Sequence, residues 1–285
     1  MTPLRSTRAL YGNALKRRRR NRLRAAIGVL MLSVLALVLT NAPALHLLGS
    51  EPIRVFPAER SAPPVVAVML SGDMGFNHGM SGDVARAIAG HGVPVVGIAS
   101  PVVFARHRSQ AEALAFVTQT LRSALARTGA QRAVLLGHSF GADVVAALVP
   151  KLPADILARL QAIVLTVPAH DVYFRADPSG LAYIGHPDAR PAAALKTFRG
   201  PPVTCIYGLQ ETDSLCPQLA GSGAHVLGLP GNHYLQHDHA RLDRVVLAAL
   251  HLGHDRSLSR GTGAAQALPT TTAHPAADYE TPVHP

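Results

Sequence analysis

Tryptophan is absent from the 285 residues, aromatic side chains make up only 5% of them, and there are just two cysteines. A surface so poor in aromatics lacks the stacking platforms that single-stranded nucleic acids require. Neither an HExxH segment nor a Cys/His quartet occurs, so no metal centre is expected and no cofactor is called for. Acidic residues are missing from residues 1–24, where Arg5, Arg8, Lys16, Arg17, Arg18, Arg19, Arg20, Arg22 and Arg24 accumulate. Setting these nine apart from the 27 basic residues leaves 18 against 17 acidic ones. The formal charge of +10 therefore belongs to a leader, not to a binding face, and no nucleic-acid partner is expected. With 48% hydrophobic residues the chain can bury a core, which excludes wholesale disorder.

Residues 25–40 (AAIGVLMLSVLALVLT) hold 16 positions without a charge. As a helix at ~1.5 Å per residue this run covers about 24 Å, and extension to residue 48 brings it to the length of a membrane span. The arginine block before it should stay cytoplasmic and send everything after residue 50 across the membrane. Ala42-Pro43-Ala44 offers a small-residue cleavage site, so a transmembrane anchor over 25–48 competes with a cleaved signal peptide. Cys205 and Cys216 have ten residues between them, and in an oxidising compartment such a lone pair forms a disulfide. At the other end, residues 253–285 are rich in Thr, Pro, Ala, Gly and His without hydrophobic period, and read as a disordered tail.

Residues 51–252 have the size of one domain. Apolar runs at 65–70, 93–99, 133–136, 162–167, 203–207 and 225–229 read as strands buried on both faces. Between them, Leu114, Val117, Leu121 and Leu125 share one face of a helix over 108–128, a second helix covers 140–149, and a third spans about 239–251. This alternation predicts an α/β fold, a doubly wound and mostly parallel sheet with helices on both faces. In such sheets chemistry sits at the carboxyl ends of the strands.

Four loops at those ends carry the functional signal. Gly137-His138-Ser139-Phe140-Gly141 is a G-x-S-x-G segment between a strand and a helix, where two glycines permit a sharp turn that presents the Ser139 hydroxyl as a nucleophile. His233, in the Gly231-Asn232-His233 turn after the last strand, is the general base expected in this chain order. His237, Asp238 and His239 read as the start of the following helix. Glu211 follows the strand-ending Gly208 by three residues and is the first choice for the acid that orients the imidazole. Asp213 is the alternative, and Asp171 a more distant one. Ser71-Gly72-Asp73-Met74-Gly75 follows the first long strand; with the N–H of Phe140, that of Asp73 or Met74 would complete an oxyanion hole. Asp143 lies in the first turn of the helix after Ser139, where the helix dipole alone accounts for an acid.

Taken together, LSGDMGF at 70–76, GHSFGADVV at 137–145, Leu152-Pro153, CIYGLQETDSLCP at 205–217 and LPGNHYL at 229–235 resemble the VirJ/AcvB bacterial virulence proteins over about residues 65–250. The departures are SGDMGF in place of SGDGGW, SPVVFARH at 100–107 in place of an aromatic stretch, and GNHYL in place of GGHHF. The resemblance implies an exported α/β-hydrolase with a minimal cap that removes an amino acid, such as lysine or alanine, from phosphatidylglycerol at the periplasmic face of the inner membrane. An ammonium on that substrate would call for a nearby carboxylate, with Asp143 and Asp73 as candidates. A broad-specificity periplasmic carboxylesterase shares every one of these residues. A non-catalytic partner of envelope secretion components is the remaining alternative.

Overall fold

The computed structural model describes residues 4–58 and 65–250, with side chains from residue 16 onward. The expected tail over 253–285 lies outside the described residues. In chain order the elements are α1 (Leu4–Thr40), β1 (Ile53–Phe56), β2 (Val65–Leu70), α2 (Ser81–Gly90), β3 (Val95–Ile98), α3 (Ser100–Val103), α4 (Gln110–Thr128), β4 (Arg132–His138), α5 (Phe140–Leu148), α6 (Ala154–Leu157), β5 (Leu160–Thr166), α7 (Ala192–Thr197), β6 (Val203–Gly208), β7 (His225–Leu229) and α8 (His239–Ala249).

The strands form one seven-stranded sheet in the order β1-β3-β2-β4-β5-β6-β7, parallel throughout except for β1, which runs antiparallel to β3. Strand period builds both cores at once. Along β2, Val66, Val68 and Leu70 enter the layer under α4 and α5, while Val65, Ala67 and Met69 enter the one under α2 and α8. That continuous apolar run is what a strand covered on both sides requires. The strand order reverses around β2, whose neighbours are β3 and β4, so the loops leaving β2 and β4 open into the crevice where such sheets bind ligands.

The long helix α4 shows how closely sequence signals set element ends. Ser109 and Glu112 form a reciprocal capping box at its start, and Gly129 closes it in the left-handed conformation at φ 70°. Val117, Leu121 and Leu125 are buried as the spacing predicts, with Leu114 only half-buried.

Three features depart from expectation. Strand β7 was expected to be buried on both faces, yet most of it is exposed and only Leu229 is fully buried. It is the sheet edge, where a strand lacks a neighbour on one side. Strand β1 and helix α2 lack the long apolar runs that reveal the other elements: IRVF leaves Val55 exposed, and SGDVARAIAG contains two glycines. The leader also differs in detail. Helix α1 joins the basic segment to the apolar run and stops at Thr40, and residues 41–48 form turns in which Ala42 and Pro43 are buried. Within Lys16–Thr40 an 18-residue window has a mean hydropathy of 2.3 and no buried residue, so this part of the helix is long and apolar enough to cross a membrane.

Candidate active site

The turn from β4 into α5 is built by two glycines that nothing larger could replace. A Cβ on Gly137 would sit 2.4 Å from the Gly141 carbonyl oxygen, and one on Gly141 would sit 2.4 Å from that of Leu70. Between them Ser139 is held at φ 51°, ψ −125°, a conformation costing about 1–3 kcal/mol in a non-glycine residue. Its N–H donates to the Thr166 carbonyl at 2.8 Å, and its carbonyl accepts from Ala142 and Asp143 as α5 begins. The hydroxyl is thus lifted off the sheet at the positive end of α5.

Ser139 Oγ lies 2.8 Å from His233 Nε2, and His233 Nδ1 lies 2.6 Å from Glu211 Oε1. The acid and histidine turns are pressed together: a Cβ on Gly208 would meet the Asn232 carbonyl oxygen at 2.2 Å, and Gln210 N–H donates to the Gly231 carbonyl at 2.9 Å. Gly231 itself takes φ 102°, which admits the turn before His233. The Glu211 side chain is 3% exposed, and its Oε2 is buried with no hydrogen-bond partner among the described residues. The Cys205–Cys216 disulfide ties β6 to the far end of the same loop, enclosing Glu211 and Asp213.

The charges around His233 set its proton affinity. Partial burial pulls the imidazole down, but the Glu211 hydrogen bond and the charges of Glu211, Asp213 and Asp73 outweigh it, leaving the pKa above the ordinary 6.5. Neighbouring His138 behaves oppositely. Burial, with the charges of His233 and His239, pushes it to about 3, and it stays neutral.

Asp73 and Asp143 lie near enough that the Asp73 charge acts on Asp143. Burial raises the Asp73 carboxyl, against the opposing effects of His233 and of Tyr183, whose hydroxyl donates to Asp73 Oδ2 at 3.4 Å. Burial raises Asp143 well above the carboxylate range; the Ala169 N–H opposes this, while Asp73, Glu211 and Asp213 add to it. Asp143 Oδ1 accepts that N–H at 2.6 Å, so the carboxyl also braces the loop after β5, a contact the helix-dipole reading does not foresee.

The loop after β2 lies beside the elbow because Leu70 pairs with Gly137 across the sheet. Within it Gly72 N–H donates to Ser81 Oγ and Gly75 N–H to the Gly72 carbonyl, each at 3.1 Å, so neither bond engages the intervening amides of Asp73 and Met74. Ser100 anchors the loop from behind, its hydroxyl donating to the Ser71 carbonyl at 2.6 Å.

Two candidates fall outside the constellation. Asp171 pairs with Arg190 at 2.7 Å, and the Asp213 carbonyl, not its carboxylate, is engaged by His170 N–H. Asp238 caps α8 through the Arg241 N–H at 3.0 Å, as expected for a helix start. Sequence reading missed Tyr183, which packs on Phe140 at 6.4 Å between ring centres, and Ser81. Nothing local marks Tyr183; it lies in an irregular segment far along the chain from the residues it meets.

The architecture recurs in solved structures. An α/β serine hydrolase homologue from Coxiella burnetii aligns with a TM-score of 0.50 at 14% identity, covering 70% of this chain and 90% of that one. A candidate thioesterase from Silicibacter sp. tm1040 aligns with a TM-score of 0.50 at 17% identity, covering 70% and 80%. Likeness at such identities shows the fold, which is that of the α/β-hydrolases. No curated protein matches the chain in sequence. The family model described as bacterial virulence protein (VirJ) matches residues 64–254, a span that contains the elbow, the disulfide-closed acid loop and the histidine turn. On that match, which takes in well over half of its length, the chain belongs to the VirJ family of bacterial virulence proteins.

Proposed function

We propose that the chain is a membrane-tethered serine hydrolase of the periplasm that cleaves the aminoacyl ester of aminoacyl-phosphatidylglycerol. The observation that carries the hydrolytic reading is the continuous contact from Ser139 through His233 to the buried Glu211. Ser139 Oγ attacks the ester carbonyl while His233 Nε2 takes its proton, and Glu211 stabilises the imidazolium that forms. The developing oxyanion falls to the Phe140 N–H, with that of Asp73 or Met74. Collapse of the tetrahedral intermediate breaks the bond to the glycerol oxygen, which receives the proton from His233. Water then attacks the acyl-enzyme by the same route in reverse, releasing the free amino acid.

The aminoacyl substrate is supported by Asp73 and Asp143. Two carboxyls whose pKa burial raises, close to the nucleophile, are poorly suited to a neutral acyl chain. An ammonium entering the cleft would stabilise their charged forms and be bound in return. Export is supported by the disulfide and by the exposed apolar helix α1. The test is release of free amino acid from lysyl- and alanyl-phosphatidylglycerol by the full chain in lipid nanodiscs, beside Ser139→Ala. Ser139→Ala should abolish both turnover and labelling by a serine-directed phosphonate; persistence of either removes Ser139 from the mechanism.

A further inference from the structure

The loops that carry the site residues also hold exposed apolar side chains. Met74 in the loop after β2, Leu181 and Ile184 between β5 and β6, Leu209 after β6 and Tyr234 beside His233 are all exposed, Ile184 by 75% and Leu181 by 53%. They come from four separate loops at the carboxyl edge of the sheet, and each adjoins a residue of the site. Leu181 and Ile184 flank Tyr183, which reaches Asp73, while Leu209 precedes Glu211 by two positions. Exposed apolar side chains shared by the loops at one end of the strands mark a contact surface, the rim of the site.

The position of α1 identifies what that surface meets. The apolar helix ends at Thr40, whose carbonyl accepts from Arg175 Nη2 at 3.3 Å, in the same β5–β6 segment that carries Leu181 and Ile184. Ala42 and Pro43 are buried in the turns that follow. Space for a Cβ at Gly75 is bounded by the Leu48 carbonyl and Pro101, so the chain leaving the helix runs against the oxyanion loop. Leu45 and Leu47 stay exposed between helix and rim. Where an apolar helix leaves a bilayer is the bilayer surface, and here that point is fastened to two of the loops that frame the cleft.

We propose that this rim docks on the phospholipid surface from which α1 emerges, so that the cleft opens onto the leaflet and receives its ester without the lipid crossing water. The inference rests on α1 spanning the membrane and deepens the lipid-ester reading by naming the face that meets the lipid.

Both native cysteines are bonded to each other, so a single introduced thiol can be labelled selectively. Full-length Ile184→Cys and Arg127→Cys, each carrying an environment-sensitive fluorophore, are placed in phosphatidylglycerol-containing nanodiscs with or without shallow spin-labelled lipid. Arg127 closes α4 at the opposite edge of the sheet. The expected result is at least twofold quenching at position 184 and none at 127; no quenching at 184, or equal quenching at both, overturns the proposal. Phosphonate labelling of Ser139 in the same samples verifies that the site is folded. A double variant, Leu181→Asp with Ile184→Asp, should lose at least tenfold in turnover of nanodisc-borne aminoacyl lipid while its phosphonate labelling rate is retained. Unchanged lipid turnover overturns docking. Quenching at 184 without hydrolysis of any aminoacyl lipid by the unaltered chain overturns the substrate reading and leaves the docking surface standing.

Discussion

Replacing Glu211 by Gln and by Ala separates what its charge does from what its shape does. The carboxylate meets His233 at 2.6 Å and is 3% exposed, so the bond is charge-assisted and little screened. Its second oxygen has no donor among the described residues, so nothing forces a Gln amide to turn its nitrogen toward the histidine. Glu211→Gln should therefore keep the productive tautomer, leaving the amide NH2 buried where Oε2 was, and lose only the charge. A hydrogen bond to a charged group contributes about 1.5–3 kcal/mol, or roughly 10- to 10²-fold in rate. Glu211→Ala loses orientation as well and should fall by about 10³- to 10⁴-fold. The pH profile gives a second, independent readout. The base works unprotonated, and His233 lies above 6.5, so activity rises with pH through an acid limb above that value. Removing the Glu211 charge leaves burial to dominate, and the limb must move to lower pH. Pre-steady-state phosphonate labelling of Ser139 from pH 5 to 9 measures both quantities without assuming a substrate. Equal losses in the two variants with an unmoved limb would falsify the electrostatic role. A larger loss in Asp213→Asn than in Glu211→Gln would transfer the role to Asp213.

Gly141→Ala sets a Cβ 2.4 Å from the Leu70 carbonyl oxygen and 2.5 Å from that of Ser71, so the elbow must part from β2. Its cost should exceed about 3 kcal/mol, whereas Gly72→Ala, with nothing nearer than 3.5 Å, should stay within about 1 kcal/mol in a thermal-melt comparison. Cys205→Ser with Cys216→Ser opens a ring with a separation of 11 residues and should cost about 3 kcal/mol, on the order of 10 °C in Tm. Labelling of Ser139 should fall beyond what that stability loss explains, because Glu211 sits inside the ring; labelling that merely tracks the folded fraction would contradict this. Asp143→Asn keeps an oxygen for the Ala169 N–H and removes a carboxyl whose folded-state pKa is raised. Such a group stabilises most below its unfolded pKa and loses that contribution as pH rises. The variant's Tm should therefore gain on the parent between pH 4 and pH 8, by about 2–4 °C for each kcal/mol; a constant difference refutes the burial argument. The same variant should raise KM for lysyl-phosphatidylglycerol with little change for a neutral short-chain ester.

How far the fold could be read from sequence depended on whether a residue's role was decided by its neighbours in the chain. Strand β2 was fully legible because six consecutive apolar residues have no stable place except between two covering layers. Ser139 was legible for a related reason: a glycine two positions to either side is what a strand-to-helix reversal demands, and the backbone that a Cβ would strike at Gly137 or Gly141 is the cause of that pattern. Glu211 and Asp213 could be ranked but not separated, since both stand inside one disulfide loop. What separates them is the contact of Glu211 Oε1 with His233 Nδ1, between turns brought together where β6 and β7 pair. Strand β1 carries no period because an edge strand shares one ladder, and Val55 can face water without penalty to the core. Tyr183 and Arg175 were invisible for a deeper reason. Each acts on a group far along the chain, Tyr183 on Asp73 and Arg175 on the Thr40 carbonyl, across an irregular segment that imposes no spacing on its residues. The chemistry of the cleft is thus written locally, in turns that tolerate few residue types. The surroundings that select its substrate are written in long-range contacts, where many residue types would serve and only the assembled fold shows which were used.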